Sequence, residues 1–238
     1  MMQYEKAYEL RAADFDAFDR MHPASVLELL QDVAGIHANE LGIGYHALIE
    51  KQTIWVLTKV RYRVVRQPRR YEQVVVRTWP LRPGRVSFRR EYEMATPAGE
   101  VLLYGTSEWV VVHSEKRCVL PASDLYPSDE YRLDTQWEGR LAKVNDGISG
   151  DDGCVVRPAF TDLDINGHVN NAKYANYVVN ALPPAKGAVV TEFAIDYHRE
   201  VLQDMPLRIC CREEGGVIFA RGLSETGEHM FSCRMVLQ

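Results

Sequence analysis

The chain has 238 residues, 46% of them apolar, and a net charge of −5, enough to bury one large core or two small ones. It has no run of 18 apolar residues, so no transmembrane helix is expected, and the segment MMQYEKAYELRAADFD has the look of neither a secretory signal nor a transit peptide. The expectation is a cytoplasmic, bacterial or mature chain.

The first predicted element is a helix from Pro23 to about Leu41, with proline in its first turn and Gly42 after its end. Val26, Leu29, Leu30, Val33 and His37 recur on one face and would pack against the apolar side of a sheet. Strands follow. Lys59, Arg61 and Arg63 alternate with Val60, Tyr62 and Val64, which predicts one charged and one apolar face. Between Lys59 and Arg90 stand eleven basic residues and a single acid, Glu72, so the remainder of the chain carries −15. Such a stretch reads either as solvated strand faces or as a surface for an acidic partner. A nucleic-acid partner is not expected, since no binding motif accompanies the charge and the whole chain is acidic.

Residues 114–155 have no steady period, contain Pro121, Pro127 and a Gly/Asp run over 146–153, and read as a connector. The five cysteines, Cys118, Cys154, Cys210, Cys211 and Cys233, show no metal spacing; Cys210 and Cys211 lie inside a strand-like run. Reduced thiols, no metal and no cofactor are expected.

The most informative segment is FTDLDINGHVNNAKYANYVVNAL, residues 160–182. Asp164, Asn166 and His168 occupy alternate positions, and an extended backbone would point all three the same way. Tyr174, Tyr177, Val178, Ala181 and Leu182 then form one apolar helix face, with Asn170 and Asn171 where an N-cap would be. The start of that helix offers free N–H groups and a positive dipole end. A carboxylate, an amide and an imidazole beside an oxyanion site suit hydrolysis of an activated carbonyl. No Gly-x-Ser-x-Gly elbow is present.

The string D-L-D-I-N-G-H-V-N-N-A-K-Y, with Asp196-Tyr197-His198-Arg199-Glu200 and the earlier LLQDVAGIHA of residues 29–38, resembles the acyl-acyl-carrier-protein (acyl-ACP) thioesterases over nearly the whole chain. That resemblance implies an α+β protein of two tandem hotdog repeats, each a long helix wrapped by an antiparallel sheet. Residues 1–113 would be the first repeat and residues 156–238 the catalytic one. It implies hydrolysis of fatty acyl-ACP, releasing free fatty acid and ending chain elongation, with acyl carrier protein as partner; a homodimer is compatible with it. Glu200 or Asp164 would act as general base, with attack by a carboxylate left open, while Asn166 and His168 hold the thioester or water. Amides near Asn170 and Asn171 would support the oxyanion. Val26, Leu30, Val33, Ile54, Trp55 and Leu57 become candidates for limiting the acyl chain, with ordinary core packing as the plainer reading. Arg66, Arg69 and Arg70 become candidates for carrier docking. Some members of the family carry a cysteine after the glutamate; here that position is Val201, which removes a Cys–His mechanism.

The two halves can also be laid over one another. An offset of 148 matches Asp14 and Asp16 with Asp162 and Asp164, and offsets of 135, 131 and 128 serve the later strands. This alignment sets Asn166 against Phe18, His168 against Arg20 and Glu200 against Val65, so the polar set belongs to the second copy alone. The rival readings are an acyl-CoA thioesterase of the same fold and a non-catalytic acyl-binding protein.

Overall fold

The computed structural model describes residues 3–121, 131–132, 135–137 and 139–238. Pro127 and the middle of the expected connector lie outside the described residues. Contacts group the chain into two units, Met1–Ala12 with Glu28–Arg140, and Ala13–Leu27 with Leu141–Gln238, which is not the linear division at residues 113 and 155.

In the first unit β1 (Tyr4–Glu9), β3 (Gln73–Pro80), β4 (Phe88–Ala95), β5 (Val101–His113) and β2 (Thr53–Val64) pair antiparallel in that order. The helix α1 (Pro23–Glu40), whose residues from Glu28 on belong to this unit, buries Leu30, Val33, Ala34 and His37, whereas Leu29 of the expected face is half-buried. Gly105 lets it close on β5, since a Cβ there would stand 3.1 Å from Leu30 Cδ1. Polar groups on this face are satisfied rather than left bare. The buried Arg90 guanidinium donates to His37 Nδ1 at 2.9 Å and Thr78 Oγ1 at 3.1 Å. The short α2 (Tyr45–Ile49) sends Leu48 into a cluster with Phe88 and Val111, which Trp55 and Trp109 flank.

In the second unit β7 (Val190–Tyr197), β10 (His229–Leu237), β9 (Val217–Leu223), β8 (Leu207–Glu214) and β6 (Cys154–Val156) form the corresponding antiparallel series. The helix α3 (Lys173–Ala181) buries Tyr174, Tyr177 and Val178. The Tyr174 ring meets Tyr197 and Phe231 edge-on, at centroid distances of 5.4 and 5.2 Å.

Hydrogen bonds repeat along with the elements. In the hairpin after β4 the Thr96 amide donates to Glu100 O and the Gly99 amide to Thr96 O; Ser224, Glu228 and Gly227 do the same after β9. Carrying this register back along the strands sets Arg90 against Ile218, so the offset of 128 rather than 131 holds along β4 and β9. Similarly, the Val65 and Arg66 amides both donate to Leu102 O, as those of His198 and Arg199 do to Met230 O. Five residues on, Tyr71 and Asp204 share a left-handed backbone, with φ of 62° and 58°, and donate to Leu10 O and Pro158 O. The counterpart of Glu200 is therefore Gln67, not Val65.

The position of Phe231 depends on Gly222 beside it in the ladder, where a Cβ would stand 2.3 Å from the Phe231 ring. Gly222→Ala should destabilise the protein by about 1–3 kcal/mol, the usual cost of overpacking, and thermal unfolding will show it. An unchanged midpoint would mean that the ring has room to move.

Candidate active site

Every candidate catalytic side chain comes from the second unit, and the backbone that carries three of them is a turn rather than the expected extended run. Gly167 adopts φ of 77°, and the Gly167 amide donates to Asp164 O. The Asp164 amide donates to His168 O at 2.7 Å, closing the turn. Inside it, Asp164 Oδ1 accepts from the Asn166 amide at 2.8 Å and the His168 amide at 3.3 Å, while Oδ2 lies 3.3 Å from Asn166 Nδ2.

Residues 14–22 make the same turn. Asp16 Oδ1 accepts from the Phe18 and Arg20 amides at 2.8 and 3.0 Å, and the Asp16 amide donates to Arg20 O at 2.8 Å. Asp19 takes the left-handed place of Gly167, with φ of 64°. The His22 amide donates to Asp14 O as the Asn170 amide does to Asp162 O, both at 2.8 Å. Burial works to raise the Asp16 carboxyl, but Arg20 and the two turn amides hold it below its ordinary range. The aspartate thus builds the turn in both copies. At the position of His168 the first copy has Arg20, which is tied to Asp16 Oδ2 and donates to the carbonyl of Ala185 at 2.9 Å.

His168 Nε2 lies 3.5 Å from Glu200 Oε2, and both side chains keep about a third or less of their surface exposed. That separation is looser than a hydrogen bond, as is common before a substrate draws a site together. A bridge from His168 to Leu202 and the bond from the Val169 amide to Val201 O at 2.8 Å bring the segment carrying Glu200 to the turn. Asn166 is exposed on the turn.

The start of α3 differs from expectation. Its N-cap is Ala172, not Asn170 or Asn171. The Asn170 amide is spent on Asp162 O, and the Asn170 side chain accepts from the Ala172 amide at 2.9 Å, so Asn170 offers no backbone donor to an oxyanion. The Asn171 amide has no acceptor among the described residues, and its carbonyl is held by the Tyr197 hydroxyl at 2.8 Å. Tyr197 and Tyr174 stand next to the expected set although the sequence pattern presents Tyr174 as part of an apolar helix face. The sequence signal for them is their place in the D-L-D-I-N-G-H-V-N-N-A-K-Y and Asp196–Glu200 strings; in the structural register the first copy has Val26 and Val64 there.

Of the acyl-chain candidates, Val26, Leu30, Val33 and Leu57 are buried, and Ile54 and Trp55 are half-buried. Ile54 and Trp55 pair with successive residues of β5, Val112 and Val111, so their side chains lie on opposite faces of the sheet. Ile54 cannot share a slot with Trp55 and Leu57. Trp55 itself packs edge-on against Phe88 and donates its indole N–H to Ile43 O.

Part of the basic stretch is paired with acids across the sheet, while Arg63, Arg69, Arg70, Arg82 and Arg85 are exposed. Lys59 pairs with Glu108, Arg77 with Glu5 and Glu93, and Arg89 with Glu91; of the charged strand face, Arg61 is buried and Arg63 is exposed. The acids come from β1, β4 and β5, which a count along the run leaves out. Arg66 is held by Glu72 at 2.5 Å and Glu100 at 2.7 Å. Its counterpart Arg199 pairs with Glu228, the counterpart of Glu100, at 3.2 Å. A pair present in both copies belongs to the fold. Arg69 and Arg70 are exposed.

Burial pushes the Cys211 thiol up to about 12, and Cys210 is fully buried, so neither is poised as a nucleophile. No cluster of three potential metal ligands occurs among the described residues. Among them, too, no helix is long and apolar enough to cross a membrane.

Comparisons with known proteins agree with this architecture. The model of the acyl-ACP thioesterase N-terminal domain matches residues 1–126, and that of the C-terminal domain residues 152–238. The chain belongs to the acyl-ACP thioesterase family. It is 26% identical to oleoyl-acyl carrier protein thioesterase 1 of Arabidopsis thaliana, over 85% of this chain and 62% of that one. It is also 26% identical to the dodecanoyl-[acyl-carrier-protein] hydrolase of Umbellularia californica, over 81% and 54% respectively. The chain thus spans little more than half the length of these relatives. Among solved structures, the 12:0-ACP thioesterase of Umbellularia californica superposes with a TM-score of 0.87 at 21% identity, covering 100% of this chain and 98% of the other. An acyl-ACP thioesterase of Bacteroides thetaiotaomicron gives 0.85 at 19%, with the same coverage. At these identities the superpositions establish the fold, which is the hotdog fold of the α+β class.

If Arg66 is a fold residue, Arg66→Ala should lower stability by about 1 kcal/mol, while Arg69→Ala should leave the unfolding midpoint in place. Equal effects in a denaturant titration would remove the distinction.

Proposed function

We propose that the chain hydrolyses the thioester of fatty acyl-ACP, releasing free fatty acid and ending chain elongation. The observation that carries this reading is the His168–Glu200 approach at 3.5 Å, where the first copy has Arg20 and Gln67 instead, in a chain of this family. Glu200 is the general base. It accepts a proton from water as the water oxygen bonds to the thioester carbon. The Asn171 amide and the Asn166 carboxamide stabilise the resulting oxyanion. As the intermediate collapses the C–S bond breaks, and the proton held by Glu200 passes by way of His168 to the departing thiolate. Asp164 contributes by holding the turn, because its Oδ1 is committed to two backbone amides.

The chemistry is assigned to residues 156–238. The buried side chains of residues 1–113, Leu30, Val33 and Leu57 among them, are the candidates for limiting the acyl chain. Acyl carrier protein is the partner, and the location proposed is cytoplasmic.

His168→Ala and Asn166→Ala should each fold normally and lose turnover, about 10²–10⁴-fold if proton transfer is lost. Cys210→Ser and Cys211→Ser should not affect the chemical step, nor should a chelator. Loss of activity in EDTA that zinc restores would overturn the reading.

For docking, the exposed Arg69 and Arg70 are the candidates, without Arg66. Charges at a rim act on encounter rate and are screened over a Debye length of about 8 Å in physiological salt. Replacing both by alanine should lower kcat/KM on acyl-ACP more than on acyl-CoA of equal chain length, and flatten its salt dependence. An unchanged salt slope would place the docking surface elsewhere, and equal rates on the two substrates would favour the acyl-CoA reading.

A further inference from the structure

The duplication supplies an internal control, since a group needed by the fold alone should recur in both copies and a group needed by the site only in the second. Tyr174 stands out under this comparison. It lies in the first turn of α3, is 2% exposed, and its ring is fixed by Tyr197, Phe231 and Tyr177. Its hydroxyl is hydrogen-bonded to the backbone of Val201, the residue that follows Glu200. Because that bond favours the charged phenolate, the Val201 N–H is the donor and the tyrosine oxygen accepts. In the first copy the matched residues are Val26 and Pro68. Valine has no hydroxyl and proline no N–H, so the first copy lacks both halves of this bond.

We propose that Tyr174 is a positioning residue for Glu200: its hydroxyl holds the Val201 peptide and so fixes the carboxylate one residue earlier against His168. The proposal rests on the reading of Glu200 as general base. Two other attachments hold the same segment, Val169 N–H to Val201 O and the bridge between His168 and Leu202, and both originate on the catalytic turn. Tyr174 supplies the third from the helix. A segment fixed from one side can rotate about that side, and a carboxylate displaced by about 1 Å can lose on the order of 100-fold in rate. Burial, and after it the charges of Asp164 and Glu200, push the Tyr174 hydroxyl above its ordinary range, so it keeps its proton at neutral pH beside both carboxylates.

Tyr177 provides the comparison. It lies one turn along the same helix, is 6% exposed, and donates its hydroxyl to Asp162 at 2.9 Å, away from Glu200. Tyr174→Phe and Tyr177→Phe each delete one buried hydroxyl and leave the ring. With acyl-ACP as substrate, Tyr174→Phe should lower kcat about 10- to 100-fold with KM nearly unchanged, whereas Tyr177→Phe should keep kcat at a comparable fall in unfolding midpoint. In a Glu200→Gln background, which lacks the base, Tyr174→Phe should cost nothing further. Should Tyr174→Phe fail to fold, Val201→Pro removes the same bond from the other side, as Pro68 does in the first copy, and should give the same loss of kcat. Wild-type kcat in Tyr174→Phe, or a full additional loss in the Glu200→Gln background, overturns the proposal. Wild-type turnover in Glu200→Gln itself would instead refute the assignment of the base.

Discussion

A carboxylate oxygen that accepts two backbone amides of its own turn is the interaction on which this site depends. Asp164 Oδ1 gathers the amides of Asn166 and His168, and the turn closes with the Asp164 amide on His168 O. Without that acceptor two polar backbone groups would lose their partner, and the positions of Asn166 and His168 would no longer be specified. The rest of the unit supports this one turn. Asp162 anchors its exit through the Asn170 amide, α3 continues from there, and the aromatic cluster of Tyr174, Tyr197 and Phe231 seats the helix on the sheet.

Because Asp16 makes the same turn, the molecule carries its own control. The turn bonds, the hairpin bonds and the ion pair from Arg66 or Arg199 occur twice, with matched partners. Asn166, His168 and Glu200 are replaced by Phe18, Arg20 and Gln67. The last replacement keeps shape and polarity and removes the charge. Arg20 keeps a charge but directs it to its own turn aspartate and to the carbonyl of Ala185, where it acts as a structural tie. One architecture thus recurs, with Asn166, His168 and Glu200, the proposed catalytic set, in the second copy alone.

Much of this was legible in the sequence, for identifiable reasons. The 3- and 4-residue spacing of Val26, Leu29, Leu30, Val33 and His37 defines a helix face regardless of tertiary detail, and the structure buries all of it but Leu29, which is half-buried. The D-x-N-x-H string marked the candidate site through residue type. What it did not convey was conformation. A positive φ at Gly167 turns an apparent alternation into a tight turn, and Asn170 spends its groups within the backbone. Strand register was the other weak point. Matching Glu200 to Val65 rather than Gln67 follows from aligning letters, and only the paired amides on Leu102 O and Met230 O reveal the true correspondence. A local count of the basic stretch is incomplete for a related reason: partners across a sheet are distant in sequence, so Glu5, Glu93, Glu100 and Glu108 do not appear in it.

The central claim is that the second copy differs from the first by a reactive carboxylate rather than by its fold. Glu200→Gln gives the second copy the residue that the first already carries at Gln67. The most direct measurement is release of free fatty acid from purified acyl-ACP by this variant, alongside its thermal unfolding. The account predicts a wild-type unfolding midpoint with turnover reduced at least about 100-fold, the scale of a lost general base. Turnover close to wild type in a well-folded Glu200→Gln protein would contradict it.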